Sequence, residues 1–116
     1  MVTQNQQNLP PYVQNILQSL DDQQGQDIVY IDVHQTSSVA DFLIICSSKS
    51  HRHARSLAKE VIDNYPKENA KPKIEGEDFS EWILIDLDHT IVHIMLPQVR
   101  AYYNLEKLWD KHLGDN

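Results

Sequence analysis

Apolar residues recur along the chain with two distinct periods. Val13, Ile16, Leu17 and Leu20 follow the spacing of one helix face. They predict a helix over about 11–23, opened by Pro10–Pro11 and ended by Gly25. IVYIDV (28–33) is rich in β-branched residues and predicts a strand. After the polar turn of Thr36, Ser37 and Ser38, DFLIICSS (41–48) is an almost unbroken apolar run. A strand buried on both faces has that composition. Helical spacing returns with Ala54, Leu57, Ala58, Val61, Ile62 and Tyr65, behind Ser50 as N-cap and before Pro66. Beyond the charged loop KENAKPK, the segments KIEG, WILIDL and TIVHIML predict three further strands. A last helix is predicted from Val99 to Trp109. The order α-β-β-α-β-β-β-α predicts a single α/β domain: a mixed five-stranded sheet packed with helices, over 11–113, after a flexible tail at 1–10.

The stretch WILIDLDHTIVHIM (82–95) can be resolved face by face, because side chains alternate along a strand. A tight turn at Asp88–His89 pairs residue 86 with 91, 84 with 93 and 82 with 95. One face then holds Ile83, Ile85, Leu87, Val92, Ile94 and Leu96, all aliphatic, and is the core face. The other holds Trp82, Leu84, Asp86, Ile91, His93 and Met95. Half apolar and half polar, with a tryptophan opposite a methionine, this second face is either covered by a helix or is a binding surface. In the last helix, Val99, Tyr102, Leu105, Leu108 and Trp109 can pack inward, while Arg100, Tyr103 and Glu106 can face out beside the sheet. Tyr, Trp and Arg dominate interface hot spots, which singles out Arg100 and Tyr103.

Composition narrows the function. The 116 residues carry a net charge of −7, which disfavours a phosphate backbone and favours a basic partner. One cysteine, Cys46, excludes a disulfide framework and a cysteine zinc site. The N-terminus lacks the pattern of a signal peptide, and no apolar run is long enough to span a membrane, so the expected address is the cytoplasm.

The closeness of Asp86, Asp88, His89 and His93 raises the question of chemistry. Two carboxylates could hold magnesium on substrate phosphates, as in a metal-dependent nucleotidyltransferase. Against this, Asp88 and His89 fall in the turn, where aspartate serves local backbone hydrogen bonds, and His93 faces Leu84 rather than a third ligand. Ser47-Ser48-Lys49-Ser50 stands where a phosphate turn would, without its glycine. His51 and His53 are two apart at a helix start and do not face each other. Cys46, inside an apolar strand, is expected to be inert. The residues therefore predict no catalytic group, no metal site and no cofactor.

Read together, GQDIVYIDV, SSVADFLIICSS, SHRHARSLA, IEG, W-x-L-x-D and the run H-x-M-x-P-x-x-R-x-x-Y-x-L-E-x-L-W from His93 to Trp109 resemble the ribosomal silencing factor (iojap-like) family over roughly 25–110. Asp88 and Ser48 depart from the family pattern, which commonly has glycine at both places. The resemblance implies a sheet like that of nucleotidyltransferases without enzymatic activity. It implies a translation repressor that binds a basic protein of the large ribosomal subunit, ribosomal protein fourteen, on the intersubunit face. Docked there, it blocks joining of the small subunit when nutrients are scarce, and the free protein is expected to be a homodimer. The family's binding surface maps onto Trp82, Leu84, Asp86, His93, Met95, Arg100 and Tyr103. A homodimeric adaptor unrelated to the ribosome is the alternative that uses the same face.

Overall fold

The computed structural model describes residues 9–108. Its elements are α1 (Pro11–Asp22), β1 (Gln26–Asp32), β2 (Phe42–Ser47), α2 (His51–Asn64), β3 (Lys73–Glu75), β4 (Trp82–Asp86), β5 (Thr90–Met95) and α3 (Pro97–Tyr103). The strands form one mixed sheet in the order β1-β2-β5-β4-β3, with β2 and β5 parallel and the other neighbours antiparallel. Element order and strand number match the sequence expectation. The hairpin pairs Asp86 with Ile91, Leu84 with His93 and Trp82 with Met95, the register that alternation predicts.

Strand β2 is buried along its whole length because both of its faces are covered. On one side, Phe42, Ile44 and Cys46 join Ile83, Ile85, Leu87, Val92 and Ile94 against Val13, Ile16, Leu17 and Leu20 of α1 and Ala54, Leu57, Ala58 and Val61 of α2. The Tyr65 hydroxyl donates to the Leu87 carbonyl (3.1 Å) and anchors the end of α2. On the other side, Ile31, Val33, Leu43, Ile45 and Met95 form a smaller cluster, with Val29, Trp82, Ile91, Val99 and Leu105 packed against it. This second cluster positions the candidate site.

The ends of the helices depart from expectation. α1 stops at Asp22, and Gln24 takes the left-handed conformation (φ 61°) expected of Gly25. The Gly25 N–H donates to the Leu20 carbonyl (2.8 Å) and the Gln24 N–H to that of Asp21 (3.0 Å), a Schellman closure. Gly25 is needed for space instead: a Cβ there would lie 2.5 Å from the Cys46 Sγ. The last helix is not continuous. α3 ends at Tyr103, Asn104 adopts φ 50°, and the chain is helical again over 105–108. The left-handed residue redirects the chain only after Tyr103; within α3 itself Arg100 turns inward and Tyr102 outward, the reverse of the sets read from spacing. Val99 and Leu105 pack on the sheet as expected, but Tyr102 is 81% and Leu108 56% exposed. Trp109 lies outside the described residues, as do 1–8 and 109–116 of the expected tail and domain ends.

Candidate functional site

The second face of the sheet is neither open nor sealed. α3 and the turn after Asn104 cover the β1–β2–β5 side, while β4 is left at the margin with Trp82, Leu84 and Asp86 half-buried. His93 and Met95, their cross-strand neighbours, lie beneath the surface. The Trp82 indole crosses to His93, its Nε1–H donating to Nδ1 at 2.9 Å. Accepting that bond fixes the tautomer, with the proton of the neutral ring on Nε2. Burial pushes the His93 pKa down to about 4, so the ring is uncharged at neutral pH. The other flank of the indole meets the Tyr103 ring at 4.8 Å between centroids, and Tyr103 meets Tyr102 edge-on at 5.0 Å. Trp82, Val99 and Tyr103 line a groove of about 280 Å³ with Gly76, Phe79 and Glu81. Phe79, fully projecting at 77% exposure, carried no periodic signal in the sequence because it sits in a loop.

Arg100 does not face out. Its Nη1 donates to the Ser47 Oγ (2.8 Å), while Nε and Nη2 grip the two Glu106 oxygens (2.9 Å each). The side chain is only 11% exposed. This bidentate pair bridges the break at Asn104 and ties it to the end of β2. Of the seven residues singled out by sequence, the structure thus brings Trp82, Leu84, Asp86 and Tyr103 to the surface. His93, Met95 and Arg100 lie beneath it.

The acidic pair has a structural task. Asp86 Oδ1 accepts from the Asp88 N–H (2.9 Å), and Asp88 holds the tight turn at φ 74°. Glycine adopts that backbone most readily, so Asp88 holds it at some cost that its bond to Asp86 offsets. Among the described residues no three His, Cys, Asp or Glu side chains converge on a point where a metal ion could sit. Burial pushes the Cys46 thiol up to about 12, leaving it protonated and unreactive. Among the described residues no helix is long and apolar enough to cross a membrane.

The family described as ribosomal silencing factor during starvation matches residues 6–115. Ribosomal silencing factors of Bacillus subtilis and Haemophilus influenzae are 38% and 39% identical, over 82% and 84% of this chain and 82% and 96% of theirs. A mouse protein named for mitochondrial assembly of the large ribosomal subunit is 33% identical over 73% of this chain and 39% of its own length. A Chromobacterium violaceum protein of known crystal structure superposes with a TM-score of 0.81 at 31% identity, covering 85% of this chain and 83% of that one. With sequence and fold both shared over most of the chain, this protein belongs to the ribosomal silencing factor family, regulators of translation that act at the ribosome.

Proposed function

We propose that the chain represses translation by docking on ribosomal protein fourteen of the large subunit and so preventing the small subunit from joining. The observation that carries this reading is the Trp82–Tyr103 aromatic pair, held beside an open groove with the indole fixed by its hydrogen bond to His93. Rigid aromatic rings that lose little entropy on docking are the usual anchors of protein interfaces. The net charge of −7 suits a basic partner and speeds encounter with it. Leu84 and Asp86 extend the contact along β4. Repression then needs no catalytic step: the bound factor occupies the space of the small subunit. In the cytoplasm of a bacterium that action would fall on the free large-subunit pool. In the unbound protein the exposed Tyr102–Tyr103 pair suits self-association into a homodimer. An adaptor with no ribosomal partner would use the same face and is separated by the same test.

The test is co-sedimentation of the purified protein with large subunits through sucrose, paired with subunit joining followed by light scattering. An anchor that is fully desolvated on docking contributes about 2–4 kcal/mol, so Trp82→Ala should weaken binding roughly 30-fold or more. Tyr103→Ala, at a position 54% exposed, should weaken it with the fold intact. A wild-type protein that neither pellets with large subunits nor slows joining would refute the reading.

A further inference from the structure

Between Asp41 and Glu60 the sequence contains no acidic residue, yet it holds Lys49, Arg52, Arg55 and Lys59, four of the ten Lys and Arg of an acidic chain. Lys59 is matched by Asp63 one turn on. The other three are exposed, and among the described residues none forms an ion pair. Their hydrogen bonds go to neutral acceptors: Lys49 Nζ to Gln24 Oε1 (3.1 Å) and Arg55 Nη1 to Ser80 Oγ (3.0 Å). Three uncompensated cations thus stand together at the start of α2, where Ser50 caps the helix.

Their position matters as much as their sign. His51 Nδ1 bonds the Phe79 carbonyl (2.5 Å), and Arg55 reaches Ser80, so the start of α2 is pinned to the loop that carries Phe79 into the aromatic groove. The cationic surface therefore begins where the groove ends. A macromolecule bordering whatever fills the groove would meet it directly.

We propose that Lys49, Arg52 and Arg55 contact the phosphate backbone of RNA flanking the docked ribosomal protein, an inference that rests on the docking reading above. An acidic protein is repelled by RNA at long range; the segment 42–59 adds no carboxylate of its own, so its three cations offset that repulsion at the start of α2, beside the loop that carries Glu77, Asp78 and Glu81. Lys and Arg on phosphates release counterions and read no bases, so the contact positions the factor without sequence specificity. Protein docking in the groove and backbone contact beside it would together set the orientation in which the factor obstructs the intersubunit face.

The test compares wild type with Lys49→Glu/Arg52→Glu, both exposed side chains, leaving Arg55 to hold Ser80. A second variant, Lys67→Glu/Lys71→Glu, changes net charge equally in the exposed loop after α2. Binding is measured to intact large subunits and to isolated ribosomal protein fourteen across monovalent salt. The α2 variant should bind large subunits roughly tenfold more weakly near 0.1 M salt. Its plot of log affinity against log salt should flatten by about 1.5, the loss of two phosphate contacts. Its affinity for the isolated protein should be unchanged, and the loop variant should behave as wild type. Hydroxyl-radical footprinting should show one protected stretch of large-subunit RNA backbone that disappears with the α2 variant alone. Wild-type affinity and slope in the α2 variant would overturn the RNA contact while leaving docking intact. Weakened binding without any footprint that depends on α2 would assign the surface to an acidic protein and overturn it too. A wild type that binds neither large subunits nor the isolated protein would remove the docking reading and this inference together.

Discussion

Lowering the pH should unlock the protein through one histidine. His93 is 8% exposed, and burial pushes its pKa from 6.5 to about 4. In the unfolded chain the imidazole titrates at its ordinary value of about 6.5. Between these two values the unfolded state holds a proton that the folded state does not. The stability contributed by a neutral His93 is therefore complete above the unfolded value and is lost as pH falls toward the folded one. Worked from the two values, going from pH 7 to pH 5 removes about 2 kcal/mol. For a domain of this size that lowers Tm by roughly 8 °C. Most carboxylates titrate below about pH 5 and contribute little in this window. His34 acts in the opposite sense, since its hydrogen bond to Asp32 raises its pKa and favours the folded state on acidification. The assay is calorimetric Tm from pH 7.5 to 5 for wild type and His93→Gln, whose amide keeps an acceptor for Trp82 but does not titrate. The wild-type curve should fall with acidification and the variant should be nearly flat. Parallel curves would show that His93 is not the linked group and that the site is wetter than its geometry indicates.

Trp82→Phe keeps most of the ring packing but withdraws the N–H from the Nδ1 of His93, and should cost about 1 kcal/mol of stability by chemical denaturation. Trp82→Ala adds the lost apolar contact with Tyr103 and the second cluster, and should cost about 2–3 kcal/mol, less than a fully buried tryptophan. Gly76 sits at φ 88°, and a Cβ there would lie 2.1 Å from the Trp82 carbonyl oxygen. Gly76→Ala should therefore cost about 2–4 kcal/mol and lower large-subunit binding with it, whereas an unchanged denaturation midpoint would mean the loop shifts freely. Raising salt should slow association with ribosomal protein fourteen and leave dissociation almost unchanged in surface plasmon resonance; an on-rate indifferent to salt would remove charge from the recognition.

How much of this was legible in the chain follows from the range of the interactions involved. Period-two alternation in 82–95 determined which residues share each face and, with the tight turn, the pairing of 82 with 95, 84 with 93 and 86 with 91. The unbroken run at β2 and the helical spacings of α1 and α2 determined the larger core, because burial of an apolar face depends only on pattern. Motif order pointed to the family. What remained undecided was set by contacts distant in sequence. Asn104 breaks the last helix where spacing predicts continuity, and the αL turn is held by Arg100, which binds Glu106 on one side and Ser47, 53 residues away, on the other. That clamp holds Arg100 beneath the surface, while Tyr102, inside α3 and ahead of the break, stands exposed. Whether the second face was open or covered could not follow from alternation, since strand period says nothing of where a later helix lies. The structure resolves it as a gradient, with Met95 fully buried under α3 and Trp82 at the margin. Phe79 and the three cations around the start of α2 acquire meaning only there as well. The hydrogen bonds from His51 and Arg55 to residues 79 and 80 bring together segments that are separate in the chain, and so set a cationic surface beside an aromatic groove.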